Sequence, residues 1–158
     1  MASDWSVFVD AVVADLTAFV PGLADPNLIV HRYSPYDPGD LQADAGERHL
    51  SVFPVADVAQ EATPFTTAPG GDRLDETYRV IYWESAGDES ARAVSDEDAA
   101  FALLDLAQAT RDRFYVIANL MLGGTTQVRY LGMAFPDRSS SVRWYALGVR
   151  ATRVKQAT

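Results

Sequence analysis

Two histidines are the residues of this chain whose type and position could support metal chemistry. His31 and His49 are the only histidines in the sequence, and each falls on a short segment predicted to be a β-strand. If these strands pair, the two imidazoles could lie close together, and Asp37 or Asp40 would complete a minimal metal site. Their spacing matches no fixed metal-binding motif. The sequence therefore favours two ordinary strand residues, with no bound metal and no cofactor.

Three other motifs resemble chemical sites but have simpler structural explanations. The acidic run 96–98 follows Ser95. Ser95 and Asp98 match a capping box at the start of a helix, and the other two acids suit its first turn. The glycine pairs at 70–71 and 123–124 lack the following Lys-Ser/Thr of a phosphate-binding loop. Serines 139–141 lack the strand–turn–helix setting of a catalytic serine. We therefore predict no catalytic residues and do not expect an enzyme.

The composition narrows the class of protein. The chain has 158 residues, nearly half of them apolar, so we expect a single domain over residues 1–158. Cysteine is absent, which excludes disulfides and thiolate chemistry. No apolar run approaches the roughly 20 residues of a membrane span, and the acidic N-terminus is unlike a signal peptide. We expect a soluble protein without membrane contact, and its acidity argues against tight binding to nucleic acid.

Charge is divided unevenly along the chain. Residues 1–47 carry eight acids and one base, whereas residues 111–158 carry two acids and eight bases. Because opposite charges attract, the acidic region of one copy can dock on the basic region of another. A contact between two different surfaces is heterologous, and such contacts form a ring when they close. The charge pattern therefore suggests self-assembly.

This polarity suggests which residues face a neighbouring copy. Four of the eight acids lie in a turn-rich loop, Asp37–Glu47, and three of the arginines lie on the last predicted strand. The predicted subunit interface consists of Asp37, Asp40, Asp44, Arg143, Arg150 and Arg153. The alternative is that the basic strand is a solvated edge whose charges discourage pairing with another sheet.

Two amphipathic helices are predicted from apolar residues that recur at three- and four-residue steps. The first starts after Ser3, which can cap it, and ends at Pro21-Gly22. The second starts after Ser95, runs for about twenty residues, and is closed by Gly123-Gly124. Their apolar faces comprise Trp5, Phe8, Val9, Val12, Leu16 and Phe19 in the first helix, and Ala100, Phe101, Leu103, Leu104, Ala107, Phe114 and Ala118 in the second.

Five strands are predicted from alternating or apolar segments bounded by turn residues. They cover residues 28–34, 48–55, 75–85, 125–135 and 141–155. Pro54 marks the end or an edge of the second strand. Residues 56–74 contain two prolines and two consecutive glycines, so we expect a long loop there. A short turn over 136–140 predicts that the last two strands form an antiparallel hairpin.

Alternation also predicts which strand faces are buried. In the third strand, which we expect to be central, Tyr78, Val80 and Tyr82 share one face, and Arg79 lies on the other with Ile81 and Trp83. In the last strand one face holds Tyr145, Leu147, Val149 and Ala151, and the other holds Trp144 and Arg150. The economical architecture is an α+β fold with a single, mostly antiparallel β-sheet and two α-helices packed on it, in the order α-β-β-β-α-β-β.

The size, element order and charge polarity of the chain resemble those of a known family. The opening segment DWSVFVDAVVADLTAFVPGL, followed by the strand NLIVHRYS, adds to the likeness. The chain resembles the tail terminator proteins of long-tailed bacteriophages, also called tail completion or head–tail joining proteins. The resemblance covers almost the whole chain and rests on layout, because the family has no diagnostic motif.

The resemblance implies a structural virion protein of the tail or neck, assembled in the host cytoplasm. Such proteins form a homo-oligomer, a hexameric ring. The ring caps the tube built by the tail tube protein and ends tail polymerisation. It then presents a surface to the head-side connector protein. DNA passes through the lumen without sequence-specific binding, and neither cofactor nor catalysis is expected.

Several other functions are compatible with the same sequence. Within the virion, the protein could be another neck or tail-tube component. Outside it, a small α+β ligand-binding domain or enzyme would have its cavity between the sheet and the helices. A nucleic-acid-binding accessory protein could use the C-terminal arginines together with aromatic residues on the strands.

Overall fold

The structure, a computed structural model, describes residues 2–23, 28–32, 43, 47–60, 71–85, 95–118, 121–134 and 142–156. Within these ranges the elements follow the order α-β-β-β-α-β-β, and the sheet is mostly antiparallel. The fold is α+β, which confirms the predicted fold class. The elements are α1 (Asp4–Phe19), β1 (Leu28–His31), β2 (Arg48–Gln60), β3 (Gly71–Ser85), α2 (Ser95–Ile117), β4 (Gln127–Ala134) and β5 (Val142–Gln156).

The five strands form one sheet with the spatial order β1-β2-β3-β5-β4. β1 is parallel to β2, and the other neighbouring pairs are antiparallel. β3 lies at the centre, as its alternating sequence predicts. The main core lies between the helices and one face of the sheet, where Tyr78, Val80 and Tyr82 are buried. Ile81 and Trp83 belong to a second apolar cluster on the opposite face.

The hairpin between β2 and β3 is longer than predicted. Residues 56–60 and 71–74 are strand, so the prediction of a loop over 56–74 is wrong at both ends. The start of β3 pairs with β2 on one side and with the end of β5 on the other. These pairings satisfy backbone groups that the local composition gives no reason to expect in a sheet. Residues 61–70 lie outside the described ranges.

Pro54 lies inside β2, where the sequence suggests a strand end or an edge. β1 pairs with residues 48–51 of β2, so Pro54 lies beyond the pairing with β1 and its missing N–H is not needed there. A register shift between Pro54 and Ala56 occurs at the same point. β1 itself ends at His31, which is earlier than predicted.

Helix α1 begins as its sequence predicts. The hydroxyl of Ser3 accepts a hydrogen bond from the backbone N–H of Ser6 at 3.2 Å. Trp5 and Phe19, at the two ends of the predicted apolar face, are instead 43% and 62% exposed. The guanidinium of Arg113 covers the ring of Phe19 at 4.0 Å. The buried residues of the predicted face are Phe8, Val9, Val12 and Leu16.

Helix α2 packs on the same face of the sheet as α1. Its core side includes Leu103, Ala107 and Phe114, but Phe101 is 54% exposed, contrary to prediction. Because each residue turns a helix by about 100°, the burial of Leu103 directs Phe101 to the opposite side. Two hydrogen bonds of 2.8 and 2.7 Å join Arg113 of α2 to Asp15 of α1. Among the described residues, neither helix combines the length and hydropathy of a membrane span.

Candidate interaction surface on the helix-free face of the sheet

One face of the sheet carries neither helix, and we call it the helix-free face. Its centre is apolar, and five of its side chains are at most 8% exposed. These are Phe53, Ile81, Trp83, Val142 and Ala146. Trp144 packs against them and remains partly exposed. Ala43 also packs against this cluster, so the centre of the helix-free face is a second small core rather than an open apolar surface.

Three arginines gather on the helix-free face, on β3, β4 and β5. Arg129 and Arg150 are direct cross-strand partners, and Arg79 is opposite Gly148, two residues before Arg150. None of these three arginines has an ion-pair partner among the described residues. Like charges directly opposite each other destabilise a sheet. A bound carboxylate or other anion would relieve this repulsion. We call Arg79, Arg129 and Arg150 the arginine cluster.

A groove of about 520 Å³ lies beside the arginine cluster. Gly132 and Gly148 face each other across β4 and β5, so its floor carries no side chain at these positions. Gly132 has a φ of +142° and follows a register shift in β4, a conformation that favours glycine. Apolar side chains form the walls, and Arg79 lines one end. The walls include Ile81, Leu131, Trp144 and Ala146.

The combination of apolar walls and neighbouring arginines suits one kind of ligand. An apolar side chain can enter the groove, while carboxylates beside it form charge-assisted hydrogen bonds with guanidinium groups. We call the groove and the arginine cluster together the arginine groove.

A second polar feature lies at the β1 end of the same face. His31 Nε2 and His49 Nδ1 are 2.9 Å apart, and His49 Nε2 is 3.2 Å from Glu47 Oε2. Parallel pairing places Ile29 opposite His49, so His31 lies diagonal to His49 on the same face. The ring of Trp83 is within 10° of parallel to His49 and within 20° of parallel to His31, with centroids 4.9 and 5.2 Å away.

The hydrogen-bond partners define which tautomer each of the two histidines has in its neutral form. The carboxylate of Glu47 accepts only, so His49 Nε2 carries a hydrogen. In the neutral ring His49 Nδ1 is then an acceptor, and His31 Nε2–H donates to it. Burial, and secondarily the neighbouring His49, lowers the pKa of His31 below its ordinary value of 6.5. His31 is therefore neutral at pH 7, and the three side chains form a continuous hydrogen-bonded chain.

The structure thus brings together the two histidines that the sequence singled out. Asp37 and Asp40, their suggested co-ligands, lie outside the described ranges. Glu47 contacts the side of His49 that faces away from His31, so these three groups do not converge on one point. No cluster of three or more potential ligand side chains suits a metal ion in the described part of the chain.

No protein-family model matches this chain, and neither does any curated protein.

Arg153, predicted to face a partner, is engaged within its own subunit. It is 6% exposed, and its Nε lies 3.3 Å from Oε1 of Glu76, which is also buried. The Tyr78 hydroxyl donates to the same carboxylate at 3.1 Å. Burial, and secondarily the negative charge of Glu76, raises the pKa of Tyr78. A further guanidinium N–H donates to the carbonyl of Gly123 at 3.1 Å. Arg153 therefore offers little surface to another copy.

The other predicted interface residues fall in different places. Arg143 is partly buried, and its Nε lies 3.5 Å from Glu84, which is also 3.6 Å from Arg48. Arg150 lies on the helix-free face as a member of the arginine cluster. The acidic half of the predicted interface, Asp37, Asp40 and Asp44, lies outside the described residues.

The sequence prediction of site residues does not include Arg79, Arg129 or Glu47. Strand alternation does place Arg79 on the face opposite Tyr78. Nothing local indicates that β5 lies between β3 and β4, which is the pairing that gathers the cluster. The position of Glu47 beside His49 could have been predicted. It lies two residues before His49, and residues two apart on a strand share a face.

Proposed function

We propose that this chain is a structural virion protein that forms a ring on the end of a phage tail tube. The observation that carries the proposal is the arginine cluster, which has no ion-pair partner among the described residues although the chain has a net charge of −9. Since every copy carries this excess of acid, a second copy is a natural source of the missing counter-charge.

Two further observations support the proposal. The α-β-β-β-α-β-β order agrees with the layout that the resemblance to tail terminators implies. The arginine cluster lies on the helix-free face, so an acidic partner surface elsewhere on the chain makes a heterologous contact, the kind that closes into rings. In this proposal the ring ends polymerisation of the tail tube protein and joins the tail to the head-side connector protein. DNA passes through its lumen without sequence-specific binding.

The test is native mass spectrometry of the purified protein across concentration, with negative-stain images taken alone and with polymerising tail tubes. We expect closed hexameric rings and tubes that stop growing once capped. Open tubes of this protein would instead assign it to the tail-tube components. Monomers at every concentration, together with tail tubes that keep growing, would refute the ring.

One observation favours the alternative of a small ligand-binding domain or enzyme. The Glu47–His49–His31 chain is an arrangement that can position and move a proton. Ligand-observed NMR against a small-molecule library tests this alternative, with His49→Ala as the matched control. Ligands that bind wild type and not the variant would favour it. Binding that is absent, or equal in both proteins, would count against it.

A further inference from the structure

We propose that the arginine groove of one copy binds the N-terminal half of α2, residues 95–106, of the next copy. The proposal deepens the ring assembly and rests on it, because it names the two surfaces that meet. It also replaces a contact through Arg143 and Arg153, which are engaged within the subunit.

The N-terminal half of α2 is acidic and displays an aromatic side chain. Residues 95–106 contain four acids and no base. Phe101 is 54% exposed, and the exposed Asp105 follows one turn later on the same side of the helix. A phenyl ring can pack against the apolar walls of the arginine groove, and a carboxylate beside it can pair with the arginines.

The two surfaces complement each other in polarity and form. The groove offers apolar walls for Phe101 and a floor without side chains at Gly132 and Gly148. The arginine cluster lies beside these walls, where the exposed carboxylate of Asp105 can neutralise part of its charge. An amphipathic helix that lays an aromatic anchor into a groove is a recurrent mode of recognition.

Charge also selects this end of α2 over its other end. Tyr115 and Val116 are exposed as well, at 65% and 60%. That end of the helix, residues 107–117, carries two bases and one acid, so it has no excess of negative charge with which to neutralise the arginine cluster. The acidic end has that excess.

The fold dictates that this contact joins different copies. The arginine groove lies on the helix-free face, and α2 packs on the opposite face of the same sheet. One subunit therefore cannot fill its own groove with its own α2. The contact is heterologous, so each copy has a groove to offer and a helix to donate, as a ring requires.

A charge exchange between two variants tests the contact. The groove variant R129E/R150E and the helix variant D98R/D105R should each self-associate at least about tenfold more weakly than wild type, because each opposes like charges. An equimolar mixture should restore assembly, since each groove then finds a helix of opposite charge. Sedimentation velocity measures the assembly, and native mass spectrometry should find the two variants alternating.

The controls are charge reversals at an exposed ion pair on the other side of the sheet. Arg32 and Asp10 are 2.9 Å apart, and their side chains are 63% and 50% exposed. R32E and D10R should assemble like wild type. Thermal melts establish that each variant folds, and R79E replaces R129E/R150E if that variant does not.

A steric variant tests the groove without changing charge. A Cβ on Gly148 would meet the Cβ of Leu131 at 3.5 Å, an ordinary contact, so a side chain fits there and extends into the groove. G148L should weaken assembly at least about tenfold by occupying the place of Phe101. Wild-type assembly in G148L would overturn the proposal.

The outcomes separate this contact from the ring itself. If wild type forms rings and both charge variants form them equally well, the groove–helix contact is wrong and the ring stands. If wild type forms no ring, but the mixed variants form heterodimers that neither forms alone, the contact stands and the ring fails. Assembly that stays weak in the mixture overturns the contact.

Discussion

At the scale of single residues, the buried ion pair of Glu76 and Arg153 stabilises the subunit in which it lies. Glu76 and Arg153 are 2% and 6% exposed, and they are ion-paired across the β3–β5 pairing. Reversing Arg153 would place a second carboxylate beside Glu76. Such a variant would test folding and not assembly, so Arg150 is the better of the two positions for testing an interface.

Replacing Arg153 with Met should destabilise the subunit strongly. Glu76 would keep its buried charge without its cation, and breaking a buried pair in this way costs about 3–5 kcal/mol. Urea denaturation measures the loss. The double variant E76Q/R153M removes both charges and should recover most of it. If R153M were as stable as wild type, the ion pair would not be supporting the fold.

His31 should make stability depend on pH. Its pKa is lower in the folded protein than the ordinary 6.5, because of burial and His49. Between the two values the unfolded chain binds more protons, so the free energy of unfolding falls as pH decreases below 6.5. Neutral His31 also hydrogen-bonds to His49, which in turn contacts Glu47.

His31→Gln isolates this contribution. The stability advantage of wild type over the variant, measured by urea denaturation, should be full above pH 6.5 and should shrink as pH falls below it. A constant difference across that range would show that His31 does not titrate with folding.

At the scale of elements, glycine at one position lets α1 approach a tight turn. A short 3₁₀ turn, Leu122–Gly124, packs against α1, and Gly123 has a φ of +60°. A Cβ there would lie 2.7 Å from the Cα of Phe8, a backbone atom that cannot move independently. The glycine pair predicted to close α2 therefore has a packing role, since α2 already ends at Ile117.

Gly123→Ala should cost about 2–4 kcal/mol, which combines left-handed strain with overpacking. Thermal and urea unfolding measure the loss. Gly148→Ala is the matched control, because the added methyl group meets only ordinary contacts. Equal stability of the two variants would contradict the close packing of α1 on this turn.

The ion pair between α1 and α2 should also contribute to stability. The side chains of Asp15 and Arg113 are 8% and 17% exposed and form two hydrogen bonds. Asp15→Ala should cost about 1.5–3 kcal/mol, the usual range for hydrogen bonds to charged groups. Asp10→Ala, which breaks the exposed pair with Arg32, should change stability by under about 1 kcal/mol. Similar losses at both positions would contradict this difference.

At the scale of the whole molecule, charge polarity should govern association. The chain has a net charge of −9, but the arginine cluster, which has no ion-pair partner in the part of the chain that the structure describes, lies on one face of its sheet. A ring held partly by such contacts should weaken as salt rises, because ions screen exposed charges beyond about 3 Å at 1 M ionic strength. Sedimentation velocity from low salt to about 1 M NaCl measures this. Assembly that strengthens with salt would indicate an apolar interface instead.

Part of the candidate site could be predicted from the sequence. Arg150 was assigned to an interface, and its face of β5 was predicted correctly from alternation. Arg79 was placed on the correct face of β3 but not connected with Arg150. Nothing in the sequence predicts a site role for Arg129, because that role depends on its position opposite Arg150 on a neighbouring strand. Charge is the only feature of the sequence that points to Arg143 and Arg153, because their intramolecular partners Glu84 and Glu76 lie far away along the chain.

By itself the sequence determined the local features of this protein. Caps, turn residues and the periods of apolar residues specify α1, the central β3, the two faces of β5 and the α+β class, because these depend on interactions within a few residues. Only the tertiary structure decided which strands are neighbours. That choice depends on contacts between distant residues, such as Arg153 and Glu76, which local propensity does not encode. It gathered the arginine cluster, joined His31 to His49, and buried Arg153.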